Sequence, residues 1–462
     1  MKVFMYVPMF VPKFMRNARW DAVSISNNKW YPIWMAYSAG LLEKCGNEVL
    51  FIDAEADEVP FEKVLEKAEG FKPDFSVVYI TTKSIEDDVI IAERLKDELK
   101  CRVFFVGPWC SIDPRGFLRK SKKVDGLITG EFDFALKEIA EGKKLKDVKG
   151  LYHWVDGKIE YNGPRTPLTG KELDELPFVT SVYERHLHVE NYRVPSQLHP
   201  FVDLFTGRGC AWGKCTFCLW PHTITQGGTY RIRSIKNVIE EIRFVQKELP
   251  QVKEIFIQDD TFPEERAVEF SKALIENGID IIWSCYARAT LKRETLLLMK
   301  EAGCRCLHVG YESANEKILK LIVKGTTKEG MERFTKDAAD VGLRIHADFI
   351  IGLPGETKET IRETIDWAKK LDVYSYQFTI PKPFPGTPLY EWAKRNDYVK
   401  DGEMSYPGLS NDEIREAAKN AMKECYFNPR YVVKTLTTPD LLRSVFESAA
   451  YVIPNMFWKR WS

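Results

Sequence analysis

The sequence has no surplus of charge. Its 67 Lys and Arg balance 67 Asp and Glu over 462 residues, which excludes a polyanion-binding surface spread across the molecule and leaves nucleic acid outside the expected partners. No apolar run nears the roughly 18 residues of a membrane span, so no bilayer crossing is expected. The start, Met1-Lys2-Val3-Phe4-Met5-Tyr6-Val7-Pro8, is too short and too soon interrupted for a signal peptide and reads as a first strand. The cytoplasm is the expected location. Ten cysteines in a chain this long make no disulfide scaffold; seven are dispersed and read as small buried hydrophobes. Histidine is rarer: the seven lie at 153, 186, 188, 199, 222, 308 and 346, so the first 142 residues have none.

What is present alternates. Strands are predicted at Val3–Val7, Glu48–Asp53, Phe75–Ile80, Arg102–Val106 and Val124–Thr129. Helices are predicted at Trp34–Lys44, Pro60–Gly70, Glu86–Lys100 and Glu131–Glu141. Short apolar strands between amphipathic helices predict an α/β domain over 1–142, a Rossmann-like doubly wound parallel sheet. Ligands of such sheets sit at the carboxyl ends of the strands. The contact candidates are therefore Thr81, Thr82 and Ser84, Gly107, and Gly130 with Glu131. None of these loops is a G-x-G-x-x-G turn, which argues against NAD or FAD. Residues 143–200 read as a hairpin turning at Asp156-Gly157 and a proline-rich connector.

From Phe201 the alternation resumes in larger units. Six predicted strands, beginning at Val202, Glu254, Asp280, Cys304, Arg344 and Tyr376, alternate with helices. Six units in place of eight predict a partial (β/α)6 TIM-like barrel over 201–395. A helical region, 396–462, with helices at Asn411–Glu424 and Pro439–Val452, completes the chain. Its tail, 452–462, is aromatic and basic, and suits either a membrane surface or a helix docked on the barrel.

Three cysteines stand together: Cys210-Ala-Trp-Gly-Lys-Cys215-Thr-Phe-Cys218, directly after the first barrel strand. Three thiolates on one tight loop suit three irons of a cubane cluster, with the fourth iron open to a small molecule. Zinc is the alternative, with His222 as fourth ligand, although structural zinc normally takes two separated ligand pairs.

This loop resembles the cluster loop of the radical S-adenosylmethionine (radical SAM) superfamily. So do Gln258-Asp259-Asp260-Thr261-Phe262, Tyr286-Ala287-Arg288, Gly303 to Ser313, Lys324-Gly325-Thr326, Asp348 to Thr357 and Pro385 to Tyr390 at later strand ends. One extra residue separates the first two cysteines, where the superfamily has C-x3-C-x2-C. The whole chain is similar to the subgroup with a cobalamin-binding domain in front. Within it, Trp30 to Trp34, Leu176 to Thr180 and Cys215 to Pro221 resemble the enzymes that build cyclitol ethers on hopanoid lipids and the archaeal calditol synthases.

The resemblance implies a [4Fe-4S] cluster on Cys210, Cys215 and Cys218. The cluster would reduce bound SAM to a 5′-deoxyadenosyl radical that abstracts hydrogen from an unactivated carbon. It implies SAM contacts from Phe217, Asp259, Asp260, Arg288, Glu312, Gly352 and Gly355, where the plainer readings are a core aromatic for Phe217 and turn formation for the glycines. It implies cobalamin without a His lower ligand, because the stretch Asp53-Ala54-Glu55-Ala56-Asp57-Glu58 stands where a D-x-H-x-x-G loop would be; the alternative is a sheet that has lost its cofactor. It further implies a ferredoxin or flavodoxin as electron donor. The substrate implied is a lipid or its polyol head group, undergoing ring contraction or carbon–carbon bond formation. The runner-up is a C-methyltransferase, and a non-catalytic iron–sulfur or cobalamin module is the reading from another class. Outside this scheme, Tyr230-Arg231-Ile232-Arg233 reads as solvated arginines before a helix, and His308 and His346 as satisfied core histidines.

Overall fold

The computed structural model describes residues 1–16, 21–24, 27–225, 229–439, 441, 442, 445 and 446. The tail at 452–462 and nine of the fourteen residues of the helix expected at Pro439–Val452 lie outside them.

The first sheet holds β1 (Lys2–Val7), β2 (Glu48–Asp53), β3 (Phe75–Tyr79), β4 (Arg102–Val106), β5 (Gly126–Ile128), β6 (Leu151–Val155) and β7 (Lys158–Tyr161), in the order β2-β1-β3-β4-β5-β6-β7. The first five strands run parallel, and the hairpin β6–β7 is antiparallel. Asp156 and Gly157 both take positive φ, the geometry a two-residue hairpin turn requires. The hairpin thus extends the first sheet, although it falls within the stretch read from sequence as connector. The strand order reverses between β1 and β3, which places a ligand crevice at their carboxyl ends.

The second sheet is sequential and parallel throughout: β8 (Phe201–Leu204), β9 (Glu254–Ile257), β10 (Trp283–Ala287), β11 (Cys304–Glu312), β12 (Arg344–Ile350) and β13 (Ser375–Thr379). Helices alternate with these strands, which is the predicted partial barrel. A C-terminal helix, Pro429–Thr437, is absent from the sequence reading although Asn428 caps it and Pro429 starts it. No helix among the described residues is long and apolar enough to cross a membrane.

The two sheets meet on helix Ile33–Lys44, buried on every face from Ile33 to Leu42. Its Gly40 is needed for close approach, since a Cβ there would lie 2.9 Å from Val182. Tyr31, just before it, stacks between Tyr183 and Tyr192 at centroid distances of 4.1 and 3.8 Å and donates to the Phe201 carbonyl at 2.8 Å. Tyr192 in turn donates to Asp53 of β2, and Tyr183 to Asp203 of β8. Arg208 and Asp133 form an ion pair at 2.8 Å, both side chains 1% exposed, with the guanidinium 4.3 Å from the Trp34 ring. The polar chemistry of the seam is thus fully internal.

Burial raises the Asp203 carboxyl to about 7, against the pull of its donors Tyr183 and Gln258. The folded state therefore keeps a proton that the unfolded chain releases near pH 3.9. The contribution is present below that pH and is lost as pH rises through 7. Asp203→Asn is expected to flatten the fall in melting temperature between about pH 5 and about pH 8; calorimetry across that range checks it.

Candidate functional site

The cysteine loop leaves β8 through Gly209, whose φ of +93° and proximity to the Thr229 carbonyl exclude any side chain. The loop is then fastened on both flanks. Trp212 Nε1 donates to the Val323 carbonyl at 2.8 Å, and the indole lies over Gly325, where a Cβ would clash with the ring. Thr216 N donates to Ile322 at 3.0 Å, and Leu389 N donates to Thr216 at 3.0 Å. The segment Ile322–Gly325 is therefore the floor on which the loop is built.

Three charged side chains close around the thiols. Arg288, at the end of β10, lies 4.6 Å over the Trp212 ring and donates to the Lys324 carbonyl at 2.7 Å. Lys324 pairs with Glu312 at 2.6 Å. Glu312 adopts φ +66°, a strained conformation for a residue with a side chain, and such strain collects at functional sites. Burial pushes the Cys215 thiol up, while Lys324 and Arg288 pull it down. Burial also raises Cys218, reinforced by Cys215, Asp260 and Cys210, which brings Asp260 into the same group.

Soft thiols beside two cations fit a cluster that must displace thiol protons. A cubane takes each thiolate on a different iron and keeps the three sulfurs apart. His222 Nε2 is engaged at 3.1 Å by the Cys215 carbonyl. The donor set therefore favours the cubane over zinc.

Other expected contacts need correction. Asp259 is fully buried and accepts from Thr206 N, Thr206 Oγ1, Gly207 N and Tyr230 OH at 2.6–3.1 Å. It fastens the start of the cysteine loop and offers nothing to SAM. Gly352 and Gly355 form a turn closed by Glu356, which accepts from Gly352 N and Leu353 N. Cβ atoms there would meet Ile414 and Leu321, so their free faces point into packing rather than toward a ligand. Phe217 packs between two apolar clusters, around Leu353 and around Leu389, which supports its plainer reading.

On the first sheet, Thr81 and Ser84 are fully buried, bonded to each other at 2.7 Å and to Asp88, which itself pairs with Arg16 at 2.9 Å. Thr82 donates to Asp21, which also pairs with Lys382. Glu131 is held by Arg231 at 2.7 Å and by Leu168 N. Thr81 and Ser84 are thus fastened inside the first domain, and Thr82 and Glu131 at the seam. For the same reason Arg231 is not a solvated arginine, nor is Arg233, which pairs with Glu241 at 2.6 Å. The backbone at Gly107 (φ +124°) and Gly130 (φ +70°) remains at the carboxyl edge, with Gly130 near the Ile224 carbonyl beyond the cysteine loop and Trp109 against Phe384 at 5.5 Å. Both glycines are buried, and a Cβ on Gly107 would lie 3.2 Å from the Ile80 carbonyl, so the edge is bare backbone where a side chain has little room. The sequence reading passed over Trp212, and gave Lys324 only as part of a motif; the signal available was the Trp within the cysteine spacing and the Lys-Gly pair.

Family models agree with both halves: the radical SAM superfamily over residues 204–368 and the B12 binding domain over residues 20–140. An uncharacterized methyltransferase of Pyrococcus horikoshii is 31% identical over 424 residues, 88% of this chain and 90% of that protein. The cytidylyl-2-hydroxyethylphosphonate methyltransferase of Streptomyces wedmorensis is 26% identical over 87% of this chain and 86% of its own. The anaerobic magnesium-protoporphyrin IX monomethyl ester cyclase of Rubrivivax gelatinosus is 27% identical over 78% of this chain and 66% of its own. Among solved structures, the cobalamin-dependent SAM radical enzyme OxsB superposes with TM-score 0.72 at 15% identity over 97% of this chain and 72% of that one. The methyltransferase TsrM of Kitasatospora setae, with cobalamin and a [4Fe-4S] cluster bound, gives TM-score 0.67 at 18% identity over 96% and 90%. At these identities the structures show a shared fold.

Asp259→Ala is expected to strand four buried donors and lower stability by on the order of 3 kcal/mol, measured by urea unfolding. Asp260→Ala is expected to weaken SAM binding at least about tenfold, measured by equilibrium dialysis.

Proposed function

We propose that this chain, which belongs to the radical SAM superfamily in its branch with a B12 binding domain, removes hydrogen from an unactivated carbon of its substrate and transfers a methyl group to it. The arrangement of three thiols under Arg288, Lys324 and Glu312, at the rim of the second sheet, carries this reading. Bound there, a [4Fe-4S] cluster supplies the electron that cleaves SAM, and cobalamin at the edge of the first sheet supplies the methyl group.

The chain's own residues do the rest. Cys210, Cys215 and Cys218 hold the cluster. The Arg288 guanidinium suits the methionyl carboxylate, Asp260 the amino group, and Glu312 the ribose hydroxyls. Trp212 and Gly325 keep the loop from shifting. A low-potential donor of the ferredoxin or flavodoxin type is the partner. The methyltransferases among the relatives support methyl transfer, whereas the cyclase supports a second reading, carbon–carbon bond formation without methyl transfer. The lipid substrate expected from sequence rests on resemblance alone, and the tail at 452–462 carries no part of this reading.

Anaerobically reconstituted protein should hold about four irons and one cobalt. With methyl-labelled SAM and a reductant it should release 5′-deoxyadenosine and pass label to the product. Release without labelled product supports the second reading, and no release overturns both. Cys215→Ala is expected to remove the iron and leave the cobalt, read by metal analysis.

A further inference from the structure

A TIM-type lumen is ordinarily filled by layers of branched apolar side chains. This one is not. Along β12 and β13 the outward residues, Ile345, Ala347, Phe349, Tyr376 and Phe378, are buried beneath the surrounding helices. The alternate residues His346, Asp348, Ser375, Gln377 and Thr379 face the other way and are only partly covered. His346 aligns with His308 of β11 on one side and Ser375 on the other, and Asp348 aligns with Gly310 and Gln377. A polar wall therefore runs along the last strands, a step below Glu312 at the rim.

The facing wall is aromatic. The His308 ring lies 5.0 Å from Phe256, 5.5 Å from Tyr286 and 4.7 Å from His346, so it joins the two walls. Trp30 packs on Phe256 at 5.3 Å from the first domain's side.

The polar wall is incompletely used by the protein. His346 Nδ1 meets Ser375 Oγ at 2.7 Å, and its Nε2 meets Gln377 only at 3.4 Å. Asp348 has no hydrogen bond among the described residues: its nearest polar neighbour is His346 at 3.6 Å, and 28% of its side chain is exposed. Charges around this space are already matched: Arg305 with Glu254 at 2.8 Å, Lys324 with Glu312 at 2.6 Å. Arg344 lies over the Tyr374 ring.

We propose that the part of the substrate held in this lumen is uncharged and hydroxyl- or amide-bearing, hydrogen-bonded by His346, Asp348 and Gln377 and covered by the ring of Tyr286, which Phe256 backs from below. The proposal rests on the reading above that SAM binds at the rim. Geometry provides both donors and acceptors on one wall and a flat apolar surface on the other, and among the described residues Arg305 and Lys324 are already paired with carboxylates while Arg288 is the group read above as holding the SAM carboxylate. An anion there would be desolvated without a partner, which is costly. Burial supports the same conclusion: it holds His308 well below and His346 down at about 4, and pushes Asp348 well above the usual carboxylate range. Burial thus disfavours the charged form of all three groups, and a protonated Asp348 would donate as well as accept.

The test is calorimetric titration of the reconstituted enzyme, with SAM and cobalamin present, using myo-inositol and its monophosphate as probes. Inositol is expected to bind at least about tenfold more tightly than the monophosphate. Asp348→Ala is expected to weaken inositol binding about tenfold or more, and Asp348→Asn, the neutral isostere, to hold it within about threefold; iron content equal to the wild type verifies the fold. Monophosphate binding as tight as inositol, no inositol binding, or equal losses in the two variants would overturn the proposal. Absence of SAM cleavage by the wild-type enzyme would instead overturn the reading it rests on, so the two failures are distinguishable.

Discussion

The ion pair between Arg208 and Asp133 sets the spacing on which both halves of the site depend. Arg208 stands two residues before Cys210, and Asp133 two residues after Glu131 at the edge of the first sheet. The pair therefore ties the root of the cysteine loop to the cofactor edge of the other domain. Burying two charges costs several kcal/mol per ion before pairing recovers it, and this pair adds the Trp34 and Tyr37 rings over the guanidinium and a hydrogen bond from Ser38. Apolar residues of similar volume would hold the domains together as well. What a directional pair adds is one register between them, because the Arg208 guanidinium meets Asp133 directly while Glu131, the next countercharge, is held by Arg231.

The same economy explains why carboxylates at strand ends were the hardest residues to read. A sequence shows that Asp259, Asp260, Glu131 and Glu312 sit where ligands bind in α/β folds, but not which way each side chain turns. Asp259 is spent on four donors of its own chain, while the charge of Asp260 next to it is felt by Cys218. Glu131 is consumed by Arg231, a hundred residues later, and no local pattern announces that partner. Glu312 differs because its backbone is strained and its countercharge, Lys324, leans over the thiols.

By contrast, most of the fold was legible. Alternating short apolar runs and amphipathic stretches sufficed for both parallel sheets, because parallel strands are buried on both faces and their period is uninterrupted. The cysteine spacing sufficed for the cluster loop, since three thiols within nine residues have few other uses. Legibility ended where contacts are long-range. The hairpin Leu151–Tyr161 was recognised from its turn, but its pairing with β5 depends on a partner edge that only the folded sheet defines. His308 and His346 were read as core histidines from their alternation with apolar neighbours. That alternation is equally what a polar lumen wall produces, since the apolar neighbours face the helices and the histidines face inward.

The contrast between rim and lumen then follows from electrostatics. SAM carries a sulfonium, an amine and a carboxylate, so on the proposed reading a rim of Arg288, Asp260, Glu312 and Lys324 would meet it with charges of both signs. An unmatched charge a few ångströms below would act on that rim with about 4 kcal/mol at an effective dielectric of 20, comparable to the pairing that orders it. A substrate that brings a charge into the lumen would therefore compete with SAM for Lys324 or Glu312 rather than sit beneath it. Imidazoles and a carboxyl whose charged forms burial disfavours would avoid that competition while still orienting the substrate through hydrogen bonds. Directional but uncharged contacts are the means by which one cavity can position a carbon against a charged cofactor without disturbing the cofactor's own binding.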